Sequence, residues 1–274
     1  MKKISLLLLL CCGVFWNSAI AQRGWELGGW VGASNYFGDL NTDYDMSHIN
    51  IAAGAAARYN FNERIAFKLS ANYGNIAADD ANSTNPFERS RNLSFQSILM
   101  DGAAQLEFNF LPYVHGDKEQ FFTPYLFGGL GIFYFNPKTE YEGQLVELRP
   151  LGTEGQFKGE EYFSTAGSIV YGGGLKIDLS YEWSLNFMLS ARKLMTDFVD
   201  DVSGTYPDVD DLENLRGQLA VELSNRSIPI DGVPETLGNT GQQRGDSSNN
   251  DTYVFLGVGV MYYFGDLRCP PYSR

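Results

Sequence analysis

The sequence predicts an all-β chain: an eight-stranded antiparallel transmembrane β-barrel of the outer-membrane type, with long extracellular loops. Three observations predict it. Segments of about ten residues alternate with period two, as strands between lipid and a lumen must. The connections between them are alternately short and long, as in barrels with turns at one rim and loops at the other. An amino-terminal export signal opens a chain with no other apolar run approaching the roughly 20 residues of a spanning helix.

The export signal has three parts. Lys2 and Lys3 give a positive start, Ile4 to Trp16 is an apolar run, and Ala19-Ile20-Ala21 is a small-residue cleavage pattern, so the mature chain is expected to begin at Gln22. Cys11 and Cys12 lie inside the apolar run without the small residue expected before a lipidated cysteine, which favours ordinary cleavage. The predicted organisation is a signal peptide at 1–21, a barrel at 22–264 and a periplasmic tail at 265–274. After cleavage only Cys269 remains, which allows an intermolecular disulfide or a free thiol but no internal bridge. With 33 acidic against 20 basic residues, a nucleic-acid partner is not expected.

The eight segments run roughly over 25–36, 48–59, 64–75, 95–110, 121–135, 166–180, 184–196 and 251–264. In the seventh, Leu185, Phe187, Leu189 and Ala191 fall on one face, and Asn186, Ser190 and Arg192 on the other. In the third, Ile65, Phe67, Leu69, Ala71 and Tyr73 oppose Arg64, Lys68, Ser70 and Asn72. Gaps are short after segments two, four and six, and long after one, three, five and seven. This places both termini on the periplasmic side.

Aromatics gather at the two ends of the segments. Tyr59, Phe61, Phe108, Phe110, Tyr113, Phe121, Phe122, Tyr181, Trp183, Tyr262, Tyr263 and Phe264 fall at the short-turn end. Tyr36, Tyr73, Phe95, Phe133, Tyr134, Phe135, Tyr162 and Phe163 fall at the other. Both sets are expected to form interfacial girdles in contact with outer-membrane lipid. The string Tyr-Phe-Gly-Asp-Leu occurs at 36–40 and at 263–267, at opposite ends of the predicted barrel, and reads each time as a girdle aromatic before a Gly-Asp turn.

Eight strands enclose a space that side chains fill. Glu26, Arg58, Arg64, Lys68, Asp101, Glu107, Lys176, Asp178 and Arg192 are assigned to that interior as a near-balanced charge network. Chemistry is scarce. The two histidines, His48 on the loop side and His115 in the turn LPYVHGDKE, have no nucleophile-elbow pattern beside them. Two isolated histidines and one cysteine make no metal site, and no cofactor is implied. The longest loop carries Asp197, Asp200, Asp201, Asp208, Asp210, Asp211 and Glu213 without EF-hand spacing, and reads as solvated. Asp210 or Asp211 is expected to cap a helix to about Ser224 with Leu212, Leu215, Leu219 and Leu223 as its stripe, and 226–250 to be flexible.

After Phe264 the chain continues GDLRCPPYSR, where two prolines end any strand. The opening WELGGWVGASNYFGDLN and the closing YYFGDLRCPPY resemble the PorG family of Bacteroidota barrels, which shares a domain-of-unknown-function signature. The similarity covers the whole mature chain and is strongest at its ends, while the acidic insertion around 197–225 departs from the family average. The resemblance implies a part in the type IX secretion system, where PorG is the outer-membrane member associated with a periplasmic ring of a PorK-like lipoprotein and a PorN-like protein. The leading expectation is therefore a non-enzymatic barrel that anchors a periplasmic assembly. Its partner-binding candidates are Arg268, Cys269, Pro270, Tyr272 and His115. The alternatives are a lipid-modifying enzyme using His48, and a narrow channel or adhesin-like surface barrel.

Overall fold

The computed structural model describes residues 23–43, 45–230 and 237–265. The predicted signal peptide and the tail residues Arg268, Cys269, Pro270 and Tyr272 lie outside them. The strands are β1 (Gly24–Phe37), β2 (Asn50–Asn60), β3 (Ile65–Asp79), β4 (Ser94–Asn109), β5 (Phe122–Tyr141), β6 (Gln144–Glu147), β7 (Thr165–Asp178), β8 (Trp183–Leu194) and β9 (Thr252–Tyr263). All except β6 build the barrel. Each pairs antiparallel with its neighbours, and β1 pairs with β9 from Glu26↔Tyr263 to Phe37↔Thr252, so the ring closes without a free edge. The fold is an eight-stranded antiparallel barrel of the outer-membrane type.

Alternation sorts each strand between two solvents. Leu27, Val31, Leu69, Leu106, Leu130, Ile132, Leu189, Leu256 and Val258 stand exposed on the outer face. That apolar band is satisfied by hydrocarbon. At the short-turn rim an aromatic belt contains Trp25 against Tyr59 (ring centroids 5.1 Å apart), Phe108 against Phe110 (5.6 Å) and Trp183 against Tyr262 (4.9 Å).

Several predicted girdle members are not in a girdle. Tyr36, Phe95, Phe133 and Phe135 are buried inside the loop end of the barrel, and Tyr113 and Tyr263 inside the turn end. Tyr113 enters from the β4–β5 turn; the strand parity of the others matches the inward face, and an eight-stranded lumen has room for aromatic filling. Of the loop-end set, Tyr73, Tyr134 and Phe163 face outward.

Two strands run past their predicted ends. β3 reaches Asp79, and β5 reaches Tyr141 before turning at Glu142 and Gly143, both at positive φ, into β6. The loops are folded as well. The β3–β4 loop holds α1 (Pro86–Arg91), with Asn85 accepting from the Phe87 N–H and Pro86 at the first position. The β8–β9 loop holds α2 (Val209–Arg216) and α3 (Gln218–Ser224). Asp208, two residues earlier than expected, caps α2 by accepting from the N–H groups of Asp210 and Asp211, and Gly217 at φ 89° splits the single expected helix in two.

Strands approach closely where glycine faces the lumen. A Cβ at Gly32 would sit 2.0 Å from the Leu256 carbonyl oxygen and 2.6 Å from the Gly257 Cα, whereas one at Gly102, on the outer face, would meet nothing within 4 Å. Gly32→Ala is therefore expected to destabilise the barrel by about 1–3 kcal/mol, and Gly102→Ala to be tolerated. Urea unfolding in lipid vesicles, with gel mobility of the unheated protein as the folding check, measures both.

Candidate functional site

The lumen is filled in three tiers. The tier nearest the short turns is a charge cluster around Glu107. Arg58 Nε lies 2.8 Å from Glu107 Oε2, Lys176 Nζ 2.7 Å from the same oxygen, and Lys68 Nζ 3.0 Å from Oε1. Arg58 also donates to Glu26 Oε2 at 2.7 Å and to Asn186 Oδ1 at 2.9 Å. Asn60 donates to Glu26 Oε1 at 2.5 Å, and Lys176 to Asn109 Oδ1 at 3.0 Å. Lys68 and Lys176 lie over the rings of Phe127 and Tyr125, at 4.6 and 4.7 Å from the centroids. Such desolvated charges persist because each has an opposite charge and further donors or acceptors.

This tier corrects two expectations. Arg64 is not in the interior: it sits exposed in the β2–β3 turn, one residue before the ladder begins, and donates to the Phe110 carbonyl at 2.6 Å. A turn residue has no parity to inherit. The fifth interior cation is His115 instead. Its turn folds back into the mouth, placing Nε2 3.2 Å from Glu26 Oε1 and Nδ1 3.0 Å from Asp178 Oδ1, with the ring stacked on Tyr263 at 4.3 Å. The imidazole is buried and so does not stand out from the rim as a docking group. Asp178 also accepts from the Tyr113 hydroxyl.

The middle tier holds one more ion pair, Arg192 Nε to Asp101 Oδ2 at 3.3 Å, with Asp101 also accepting from Asn72 and, at 3.0 Å, from the Tyr253 hydroxyl. Asn72 Oδ1 in turn accepts from the Trp30 indole at 2.9 Å. Between these two tiers lies a cavity of about 30 Å³ lined by Arg58, Lys68, Asn186, Trp30 and Met188, room for a water molecule. Around and above Asp101 the filling is apolar: Leu99, Phe133, Phe135, Phe255 and Leu194 pack with Trp30. Glu26, Arg58, Lys68, Asp101, Glu107, Lys176 and Arg192 are all buried, and Asp178 is at the mouth with its carboxylate covered. Asn72 and Asn186, named on the polar faces of their segments, complete the network together with Asn60 and Asn109. They occupy inward-parity positions of the same strands, which is the signal that marks them.

The third tier is a folded cap over the loop end. Arg91 donates to both oxygens of Asp80 (2.8 and 2.7 Å), to the Arg244 carbonyl (2.7 Å) and to the Asp39 carbonyl (2.6 Å). Arg244 reaches Glu154 Oε1 at 3.0 Å and the Asp201 carbonyl at 2.5 Å, and Arg216 pairs with Glu161 at 2.8 Å. Three arginines thus clasp all four long loops. Asp197, Asp200 and Asp201 are buried here, not solvated. The described part of 226–250 is also pinned, for instance by the Ile228 N–H on the Ser90 carbonyl at 2.8 Å. Sequence composition reports polarity, and it is silent on whether polar groups bond water or one another.

His48 lies at the cap margin with Nε2 2.7 Å from the Asn82 amide nitrogen. The hydroxyls of Ser47 and Ser83 donate to Asp45 and Glu88, so His48 has no activated serine there. Among the described residues no group of three acidic, histidine or cysteine side chains is arranged to hold a metal.

A model of the family described as a domain of unknown function, DUF6089, matches residues 2–223. No curated protein matches the chain. Among solved structures it is similar to the attachment invasion locus protein Ail of Yersinia pestis (11% identity, 89% of this chain and 99% of that one, TM-score 0.41). It is also similar to Neisserial surface protein A (10%, 88% and 97%, 0.43) and to the outer membrane protein OprG of Pseudomonas aeruginosa (12%, 90% and 98%, 0.42).

Glu107→Gln strands three cations around a neutral amide and is expected to cost about 3–5 kcal/mol in unfolding free energy, measured by urea titration in vesicles. His115 has its own pH signature. Burial alone would lower its pKa, but the carboxylates of Asp178 and Glu26 outweigh that and hold it up to about 9. A histidine raised in the fold stabilises fully below its unfolded value near 6.5, and that stabilisation is lost as pH rises through about 9. Unfolding free energy should fall by about 3 kcal/mol across that window, and His115→Gln should remove the fall.

Proposed function

The chain belongs to the DUF6089 family, and from that premise, with a lumen occupied by its own side chains, we propose that it is a non-enzymatic outer-membrane barrel that anchors a periplasmic assembly. The short turns and both termini face the periplasm and the cap faces outward. The observation that carries this reading is the filled interior: paired charge around Glu107, aromatic filling above it, and an arginine-clasped cap at the mouth. A pore function has no lumen to use, so the rims are what the molecule offers to partners.

The type IX secretion system is the assembly that the PorG resemblance points to, with a ring of PorK-like and PorN-like proteins as the partner. The tail with Arg268, Cys269, Pro270 and Tyr272 is the contact proposed for it. Affinity purification of the full chain from native membranes tests this. The wild type is expected to bring down periplasmic partners, a tail-deleted variant to lose them, and Cys269→Ser to show whether a disulfide contributes. A wild-type sample without periplasmic partners would overturn the reading, and so would steady conductance of the pure protein in planar bilayers.

A further inference from the structure

The cap encloses more carboxyl groups than cations, and one group of its atoms reveals how that excess is tolerated. Tyr36 Oη lies 2.5 Å from Asp200 Oδ2 and 2.7 Å from Asp251 Oδ1. Both distances are those of hydrogen bonds. A phenol carries one hydrogen, so it donates to only one of the two carboxyls. The other contact needs a hydrogen from the carboxyl itself. Both short contacts are met when at least one of Asp200 and Asp251 carries a proton in the closed cap.

The remaining oxygens are spoken for. Asp200 Oδ1 accepts from the Val202 N–H at 2.9 Å, and Asp251 Oδ2 from the Val199 N–H at 3.2 Å. Both side chains and Tyr36 are at most 1% exposed. The same loop buries Asp197, which faces the Ser203 hydroxyl. The other charged groups around the pair come from every element packed on it. Asp39 follows β1, Arg91 of α1 is already bound to Asp80, Glu154 comes from the β6–β7 loop, and Asp201, Arg244 and Asp246 share the β8–β9 loop. Two guanidiniums against this many carboxylates leave the excess to be met by protons.

We propose that the cap is a proton-held lid, closed over the barrel while a carboxyl hydrogen and the Tyr36 hydroxyl together bridge Asp200, Tyr36 and Asp251, and loosened when the carboxyl hydrogen leaves. The lid joins β1 to both ends of the β8–β9 loop, so its release frees the longest loop from the wall.

The titration tendencies agree with the geometry. Burial, reinforced by neighbouring carboxylates, raises Asp200 and Asp251 well above the usual range. Burial likewise lifts Asp197 to about 7 and Asp39 to about 6. A carboxyl that is protonated in the closed lid and ionised in the open one releases a proton on opening. Closure is then strongest below about pH 4 and weakens as pH rises through the closed-state values.

Amide hydrogen exchange at Val199 and Val202, in the full chain reconstituted in lipid discs, reads closure directly. After correction for intrinsic exchange chemistry, the wild-type opening constant is expected to rise with pH above the ordinary carboxyl range, by about tenfold per pH unit for each proton released on opening. Asp251→Asn, which supplies its own hydrogens, should flatten that slope while the lid stays protected; Asp200→Asn serves if that variant does not fold. A flat wild-type profile overturns the proposal, as does an undiminished slope in the folded variant. So does recovery of protection when millimolar calcium chloride is added at about pH 8, because the cluster would then be holding a cation in place of a proton.

Discussion

Glu107, buried and with three cations within 3.0 Å, is the constraint from which the rest of the molecule follows. An eight-stranded ring is too narrow for an aqueous lumen, and its inward face is made of strands whose outward face must be apolar. Polar residues at inward positions are therefore dehydrated by the geometry of the ring. A buried carboxylate is tolerable only with full pairing. Four strands supply that pairing: Arg58 from β2, Lys68 from β3, Glu107 from β4 and Lys176 from β7. The cluster thus links opposite walls of the barrel, and any shift in strand register would break several of these contacts together.

The tiers differ in kind because their surroundings differ. Near the short turns, asparagines and the returning His115 turn supply enough hydrogen-bonding groups for seven charged side chains to be satisfied. Towards the loops the strands carry Trp30, Leu99, Phe133 and Phe255, and the Asp101–Arg192 pair with Asn72 is set within that apolar packing. The repeated Tyr-Phe-Gly-Asp string shows the same division at its two ends. Tyr36 enters the lumen beneath the cap to meet two carboxyls, while Tyr263 enters at the other mouth to stack on His115. In the second copy the following aromatic, Phe264, remains on the outside.

The barrel was legible in the sequence because its signal is repeated eight times and depends only on parity. Leu185, Phe187 and Leu189 against Asn186, Ser190 and Arg192 cannot be read another way once the strand is granted. Parity also explains the errors. Extending an alternation one residue into a turn puts Arg64 on the inner face, and sorting Tyr36, Phe95 and Phe133 by height along the barrel ignores the face they occupy. The cap was not legible. Its defining contacts, such as Arg91 with the carbonyl of Arg244, join residues far apart in sequence through groups that look the same in a solvated loop. Asp208 as a cap was visible in principle, two residues ahead of the acidic pair that drew attention. The glycine after Arg216 was equally visible as a break.

Ring closure gives the cap a place in time. Tyr36 is opposite Tyr253 only when β1 and β9 have zipped together, and its two carboxyl partners lie 164 and 215 residues away along the chain. Contacts so distant form late, because their loop entropy is offset only after nearer pairings have drawn the ends together. The lid cannot assemble on an open sheet. A sealed cap is therefore a report, readable at the loop end of the barrel, that the seam between β1 and β9 has been completed.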